Sequence, residues 1–233
     1  MAFPASLIAP VAKAFVLAQL TVCPPAEHAP HVDIFFFPKK PVYVTEAPIK
    51  ALTEAMQGNP DSTFATDSRW IAFGVTDGQI LHGGYAVRFD TLNDDQGNTC
   101  MTVQNFKIVI RYNPTIFIAK EIGNMECQFK MVKLHEERHV ATDLKTINEF
   151  IPKIKMEVLW YLRSLGPQGP FRQPEVRAKM KAISDQISAS AKPMVEKLIE
   201  VRRARQGLID TPENYHQEAE LCPGEILKLE DVK

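Results

Sequence analysis

The chain has 233 residues, of which 45% are hydrophobic and 24% are charged, and its formal net charge is −1 at pH 7. These fractions are ordinary for a globular protein. The length allows one domain with a sizeable core, with or without an appendage. A net charge near zero gives no electrostatic basis for binding nucleic acid or a membrane surface, so neither is expected as a partner.

The amino-terminal segment, residues 1–31, is predicted to be a leader or a segment packed on the domain. Residues 7–20 are mostly apolar but too short to span a bilayer, so no transmembrane span is expected. The triplet Ala12-Lys13-Ala14 resembles the cleavage site of a signal peptide, although no basic region precedes it. A truncated or misassigned signal peptide and a small amphipathic helix both fit this pattern.

Strand patterns dominate the next part of the chain. Apolar runs, alternating or β-branched, predict strands at residues 32–37, 42–44, 70–73, 85–89, 101–103 and 106–112. Helical spacing predicts one helix among them, at residues 49–56. Turn residues predict turns at Asp77-Gly78 and Gly83-Gly84, a loop at residues 93–98, and a strand end at Asn113-Pro114.

Helical spacing takes over from about residue 126 to residue 150. Apolar residues recur at Val140, Leu144 and Ile147 and form one stripe along this helix. Pro152 predicts that the helix ends there, because a proline removes a backbone hydrogen bond from a helix interior.

Two further helices are predicted after this one. The first passes through residues 160–162, and the second spans about residues 174–206 with a kink at Pro193. Strands first and helices second predict an α+β fold rather than alternating βα units. We therefore predict one α+β domain at residues 32–222 and a short tail at residues 223–233.

Four cysteines are scattered along the chain, and none forms a C-x-x-C pair. This spacing argues against a cysteine zinc site or a redox motif, and an even count suits two disulfides in an oxidising compartment. From their placement we predict the pairs Cys100–Cys127 and Cys23–Cys222. The alternative is four buried thiols in a cytosolic protein.

Residues 135–139 read His135-Glu136-Glu137-Arg138-His139, which is an H-E-x-x-H motif. On a helix the two histidines lie four residues apart on one face and can bind one ion, and the spacing fits zinc. Glu136 lies beside that face, where it can activate a metal-bound water. The alternative is an amphipathic helix whose charged face happens to contain two histidines.

A third zinc ligand is required, and the sequence leaves several candidates. His216 in the polar tail segment is favoured, because a long hairpin of helices can return it to the motif. Asp143 is one turn beyond His139, about 12 Å along a straight helix from His135, and fits better as a partner for the free nitrogen of His139. Glu149 lies further along the same helix.

A resemblance to a known family rests on an ordered set of features: Ser68-Arg69-Trp70, Cys100 before the strand at residues 103–110, the motif at residues 135–139, and a tail with Asp210 and His216. In this order they resemble a bacterial family of uncharacterised proteins described as predicted secreted zinc-dependent proteases. The similarity covers roughly residues 45–222, and its specific part is the motif. The tail departs from the Asp-x-x-Thr-x-His-Gly form of that family, since Thr211 directly follows Asp210 and Gln217 replaces the glycine.

This resemblance and the motif together predict a zinc metallopeptidase of zincin-like α+β fold. A β-rich half packs on the motif helix, and two further helices follow. His135, His139 and His216 hold Zn²⁺, and Glu136 is the catalytic base. The substrate is expected to be a peptide or protein, paired with an edge strand at residues 70–73 or 106–112.

A rival hypothesis is a non-catalytic binding domain of the bacterial envelope with a structural or degenerate metal site. Under either hypothesis the resemblance implies a periplasmic or secreted protein, with a cytoplasmic location left open. The oligomeric state is open as well.

Overall fold

A computed structural model describes residues 22–58 and 71–223 of the chain. The apolar run at residues 7–20 and Trp70, both part of the sequence predictions, lie outside these described residues. None of the helices in the described ranges is long and apolar enough to cross a membrane.

A five-stranded sheet is built around one long central strand. Its strands are β1 (His31–Pro38), β2 (Val42–Ala47), β3 (Gly74–Asn93), β4 (Asn98–Ala119) and β5 (Gln168–Arg172). β3 pairs antiparallel with β4 over nearly its whole length. Because a strand has two edges, the other edge of β4 carries β5, β1 and β2 in succession, with β1 and β2 parallel to β4.

Alternation along β4 explains which face of the sheet is covered. Its even-numbered residues between 106 and 118 are buried, among them Phe106, Tyr112 and Ile116. Lys107 and Arg111 point the other way and are exposed. One face of the sheet therefore packs on helices, and the other faces solvent.

The predicted strand end at Asn113-Pro114 is wrong, because β4 continues to Ala119. Pro114 falls between the residues of β4 that pair with β1, which end at Tyr112, and those that pair with β2, which begin at Thr115. A proline fits a strand at such a gap, because no ladder hydrogen bond from its nitrogen is needed there.

The two predicted glycine turns are wrong as well. Asp77-Gly78 and Gly83-Gly84 both lie inside β3, which runs without a turn from Gly74. Gly84 has a φ of 102° and lies where the pairing with β4 shifts register. This pair of glycines therefore forms a β-bulge instead of ending the strand. The loop predicted at residues 93–98 is confirmed as the connection between β3 and β4.

Five α-helices complete the described structure: α1 (Ile49–Gln57), α2 (Glu126–Leu165), α3 (Gln173–Ser190), α4 (Lys192–Gly207) and α5 (Pro212–Glu220), with a short 3₁₀ helix at Lys120–Ile122. Three helices therefore follow the motif helix, where two were predicted. The predicted kink at Pro193 is instead a break at Ala191 between α3 and α4.

The predicted helix end at Pro152 is also wrong, since α2 continues through it to Leu165. The buried apolar stripe of α2 goes on past the proline at Ile154, Val158 and Leu162. Each such side chain contributes about 1.5–3 kcal/mol when buried, which offsets the roughly 3 kcal/mol that an interior proline costs.

The fold is α+β, as predicted. The stripe of α2 packs on the buried face of the sheet, and α4 packs against the face of α2 that carries His139 and Asp143. The side of α2 that carries the motif therefore lies between β3 and the carboxy-terminal helices.

Two disulfides are present, but the predicted pairs are wrong. The bonds join Cys23 to Cys100 and Cys127 to Cys222. Cys100 is near the start of β4, whereas Cys127 opens the helix that follows the far end of this strand, so the predicted partners are separated by almost the whole of β4. The observed bonds tie the amino-terminal segment to the sheet and the segment after α5 to the start of α2.

Candidate metal centre

The motif side chains are buried although they are polar. His135, Glu136 and His139 are 3%, 4% and 8% exposed, on α2 as predicted. The apolar stripe of the same helix faces the sheet through residues such as Ile147. Buried polar groups need partners, and these come from β3 and from the segment at the end of α4.

Asp210 completes a group of three residues that can hold a metal ion. It lies in the short connection between α4 and α5. Its Oδ1 atom is 3.1 Å from His135 Nε2 and 3.0 Å from His139 Nε2, and the two Nε2 atoms are 3.1 Å apart. Three acceptor-type atoms converge on one point, which is the arrangement that a cation stabilises.

The other nitrogen of each imidazole fixes its orientation. Glu218 on α5 accepts a hydrogen bond from His135 Nδ1 at 3.1 Å. The side-chain oxygen of Gln206 on α4 accepts one from His139 Nδ1, while its amide nitrogen donates to the His139 carbonyl oxygen at 3.1 Å. An imidazole that carries its proton on Nδ1 directs its Nε2 lone pair towards Asp210, and this is the form that binds a metal ion in sites with supported histidines.

Without a cation, protons between the imidazoles and Asp210 hold this group together. Burial alone raises the pKa of Asp210, but the hydrogen bonds from His135 and His139 outweigh it and hold the pKa well below its usual range. Burial lowers the pKa of His139, yet the bond and charge of Asp210 outweigh that effect and raise it to about 9. Each shift favours the charged form next to its partner.

Glu136 is held between α2 and the first residues of β3. Thr76 Oγ1 donates to Glu136 Oε2 at 2.7 Å, and burial raises the pKa of this carboxyl. Gly74 passes so close that a Cβ there would lie 2.6 Å from Glu136 Oε1. Only a glycine at this position leaves room for the carboxylate in its present place.

His216, the predicted third ligand, is not brought to this group. It lies on α5 with a side chain that is 79% exposed, and it pairs with Glu220 at 3.2 Å. Tyr215, one residue earlier and therefore about 100° round the helix, faces the histidines instead. Asp210, and not His216, lies together with the two motif histidines.

The two other candidates for the third ligand lie outside the group as well. Asp143 is fully buried and bonds to Arg202 at 2.6 Å and to the Tyr112 hydroxyl at 2.8 Å. It reaches His139 only through Gln206, which donates to it. Asp143 was predicted to accept from the free ring nitrogen of His139. Instead, Gln206 accepts from that nitrogen and donates to Asp143. Glu149 pairs with Arg205 at 2.7 Å, away from the histidines.

A cavity of about 190 Å³ opens beside the candidate ligands. Its walls include the start of β3 on one side and α4 with the following segment on the other, among them Gly74, Val75, Thr76, Ile199, Gln206 and Tyr215. Glu136, His139 and Asp210 also line it. The candidate base and two candidate ligands therefore face one space in which a substrate can bind.

The sequence predicts the motif but not most of its partners. Asp210 enters the prediction only as part of the family resemblance, and no role is predicted for Gln206, Tyr215 or Glu218. A signal was available in the tail, where Asp210, Tyr215 and Glu218 are spaced so that a loop and one helix face present them together.

Comparisons of the chain with protein-family models, with curated proteins and with solved structures give no match.

Proposed function

We propose that this protein is a zinc-dependent peptidase that hydrolyses peptide bonds with Glu136 as general base. The observation that carries the proposal is the convergence of His135, His139 and Asp210 at 3.0–3.1 Å next to a buried carboxylate that is not one of the three. A catalytic zinc site needs three protein ligands and an adjacent base, and this set supplies both.

The three ligand atoms suit zinc in chemistry and spacing. Imidazole nitrogen and carboxylate oxygen bind zinc at about 2.0–2.2 Å, and ligands of a tetrahedral site then lie about 3.3 Å apart. The observed separations of 3.0–3.1 Å require only a small outward shift. Glu218 and Gln206, which accept from the far nitrogens, keep both imidazoles aimed at the ion.

When bound, zinc supplies a Lewis acid that lowers the pKa of a water molecule and polarises a substrate carbonyl. The protein moves the protons. Glu136 accepts a proton from the attacking water and passes it to the amine that leaves. Burial raises the pKa of Glu136, which makes its carboxylate a stronger base. Thr76 holds the carboxylate in place.

The start of β3 is the edge on which an extended peptide would lie. In the described parts of the chain β3 pairs with β4 alone, so its outer edge offers unpaired backbone groups beside the cavity. The predicted edge at residues 106–112 is wrong, because β4 pairs there with β1 and β3 at once. Residues 71–73 precede β3 and are not a strand.

A periplasmic or secreted location fits this function. Two disulfides favour an oxidising compartment.

The test is the substitution Glu136→Gln, with Glu137→Gln as its matched control. Both replace a carboxylate by an amide on the same helix, but Glu137 bonds to Tyr43 and not to the candidate site. We expect Glu136→Gln to retain zinc and to lose about 10²–10⁴ in rate, since a general base contributes that much. Cleavage of a quenched fluorescent peptide library by zinc-loaded protein is the measurement.

The control must cleave the library like the unchanged protein. Equal cleavage by Glu136→Gln removes Glu136 from the mechanism. Zinc bound by a protein that cleaves nothing favours the rival hypothesis, a binding domain with a structural metal site. One observation supports that rival, since the hydroxyl of Tyr215 lies against the ligand atoms and a fourth protein ligand closes a zinc site.

A further inference from the structure

The hydroxyl oxygen of Tyr215 lies beside the candidate ligand atoms. It is 2.9 Å from Asp210 Oδ1 and 3.2 Å from His135 Nε2, and the ligand atoms have nearly the same separations among themselves. An atom at this distance from two of the three candidate ligand atoms can reach the fourth position of a tetrahedral site around the same ion. A catalytic zinc site leaves that position open for water or substrate.

We propose that Tyr215 is a gate residue, whose hydroxyl occupies the fourth coordination position in the resting protein and leaves it when a water molecule or a substrate oxygen binds. The inference rests on the proposed zinc site and deepens it. It predicts that any oxygen ligand of the metal competes with an internal phenol, so that small ligands bind less tightly than the three-residue site alone allows.

The contacts of Tyr215 allow such a movement. Its ring stacks on His135 with 4.8 Å between centroids, and its hydroxyl donates to Asp210. α5, which carries it, contains no fully buried residue. A swing of the ring therefore breaks its polar and stacking contacts but opens no hydrophobic core. The Cys127–Cys222 disulfide keeps the end of α5 near α2 while the ring moves.

The experiment uses acetohydroxamate, a small molecule that binds zinc through oxygen. Its affinity is measured by calorimetry for the zinc-loaded full chain and for Tyr215→Phe, which removes only the hydroxyl. Tyr112→Phe is the matched control, because Tyr112 is also buried and also donates to a carboxylate, that of Asp143 at 2.8 Å, away from the ligand atoms.

We expect Tyr215→Phe to bind acetohydroxamate about tenfold more tightly, since it lacks a competing hydrogen-bonded group, and Tyr112→Phe to bind it unchanged. Tyr215→Leu, which also removes the ring, must change the affinity in the same direction. Unchanged or weaker binding in both Tyr215 variants overturns the proposal, and weaker binding identifies the phenol as a donor to the bound oxygen instead.

Zinc retention by each variant, measured by competition with a chelator, separates this inference from the proposed function. If the unchanged protein binds no zinc, both are wrong. If it binds zinc and Glu136→Gln abolishes cleavage, but Tyr215→Phe leaves acetohydroxamate affinity unchanged, then the gate alone is wrong.

Discussion

The candidate site is made from two regions that are held in the fold by different means. α2 carries His135 and His139 and is fixed by a long row of buried residues that runs to Leu162. The segment from Asp210 through α5 is held differently. No residue of α5 is fully buried, and the segment is attached through Tyr215, Glu218 and the Cys127–Cys222 bond. The hydrophobic effect fixes the first region, whereas polar contacts and one covalent bond fix the second.

Although it is attached in a different way, the carboxy-terminal region is part of the candidate site and not an appendage. It supplies Asp210 and Glu218, and the end of α4 supplies Gln206, so each imidazole of α2 has a partner there. The geometry of the candidate ligands therefore depends on a helix, α5, that has no fully buried residue. We expect changes in this region to alter metal binding more than they alter folding.

Removal of a ligand should have the largest effect and should be equally severe in the two regions. We expect His139→Ala on α2 and Asp210→Ala after α4 each to weaken zinc binding by more than about 100-fold, because the loss of a mere supporting partner already costs about 10–100-fold. Competition with a chelator measures both. His216→Ala is the control, since its side chain is 79% exposed and paired with Glu220.

His216→Ala should bind zinc like the unchanged protein. A large loss in this control, together with normal binding by Asp210→Ala, would show that the tail folds differently and that His216 is the third ligand after all.

The two disulfides give the next comparison, because they close loops of similar length but tether different regions. Their sequence separations are 77 and 95 residues, and the chain-entropy relation gives about 4.5 kcal/mol of stabilisation for each. We expect the double variants Cys23→Ser/Cys100→Ser and Cys127→Ser/Cys222→Ser to lose similar free energies of unfolding, measured with denaturant. The two double variants should differ in their affinity for zinc.

Only the loss of the Cys127–Cys222 bond releases the end of α5, the helix that carries Tyr215 and Glu218. Zinc affinity should therefore fall about 10–100-fold in that variant, as when support behind a ligand is lost, and should change little in the Cys23/Cys100 variant. Equal zinc affinities would mean that α5 is held by its polar contacts alone.

The parts of this molecule that depend on local pattern could be predicted from the sequence. α1, β1, the strand through residues 106–112 and the loop at residues 93–98 follow from spacing and turn residues. The motif could be placed on a helix for the same reason. Its spacing of four residues fixes the relative position of His135 and His139 without any tertiary information.

The parts that depend on long-range packing could not be predicted. Pro114 predicts the end of a strand and Pro152 the end of a helix. β4 nevertheless continues past Pro114, where its pairing changes from β1 to β2, and α2 continues past Pro152 because its buried apolar stripe continues. Disulfide connectivity depends on where β4 places its two ends. The third candidate ligand depends on how α4 and α5 return to α2, and the spacing of Asp210, Tyr215 and Glu218 alone does not show where this return places them.

The smallest effect is expected from Glu218→Gln, which tests the weaker region without touching a ligand. Glu218 accepts from His135 Nδ1 at 3.1 Å and pairs with Arg138. Glutamine keeps the size of the side chain but removes its charge. It therefore aligns the imidazole less firmly and makes Nε2 less basic, and zinc affinity should fall about tenfold, at the low end for such partners.

Glu213→Gln, the same change at an exposed position of α5, is the control and should leave the affinity unchanged. A loss as large as that of Asp210→Ala would mean that Glu218 binds the metal itself. No loss at all would mean that the stacked ring of Tyr215 is sufficient to orient His135.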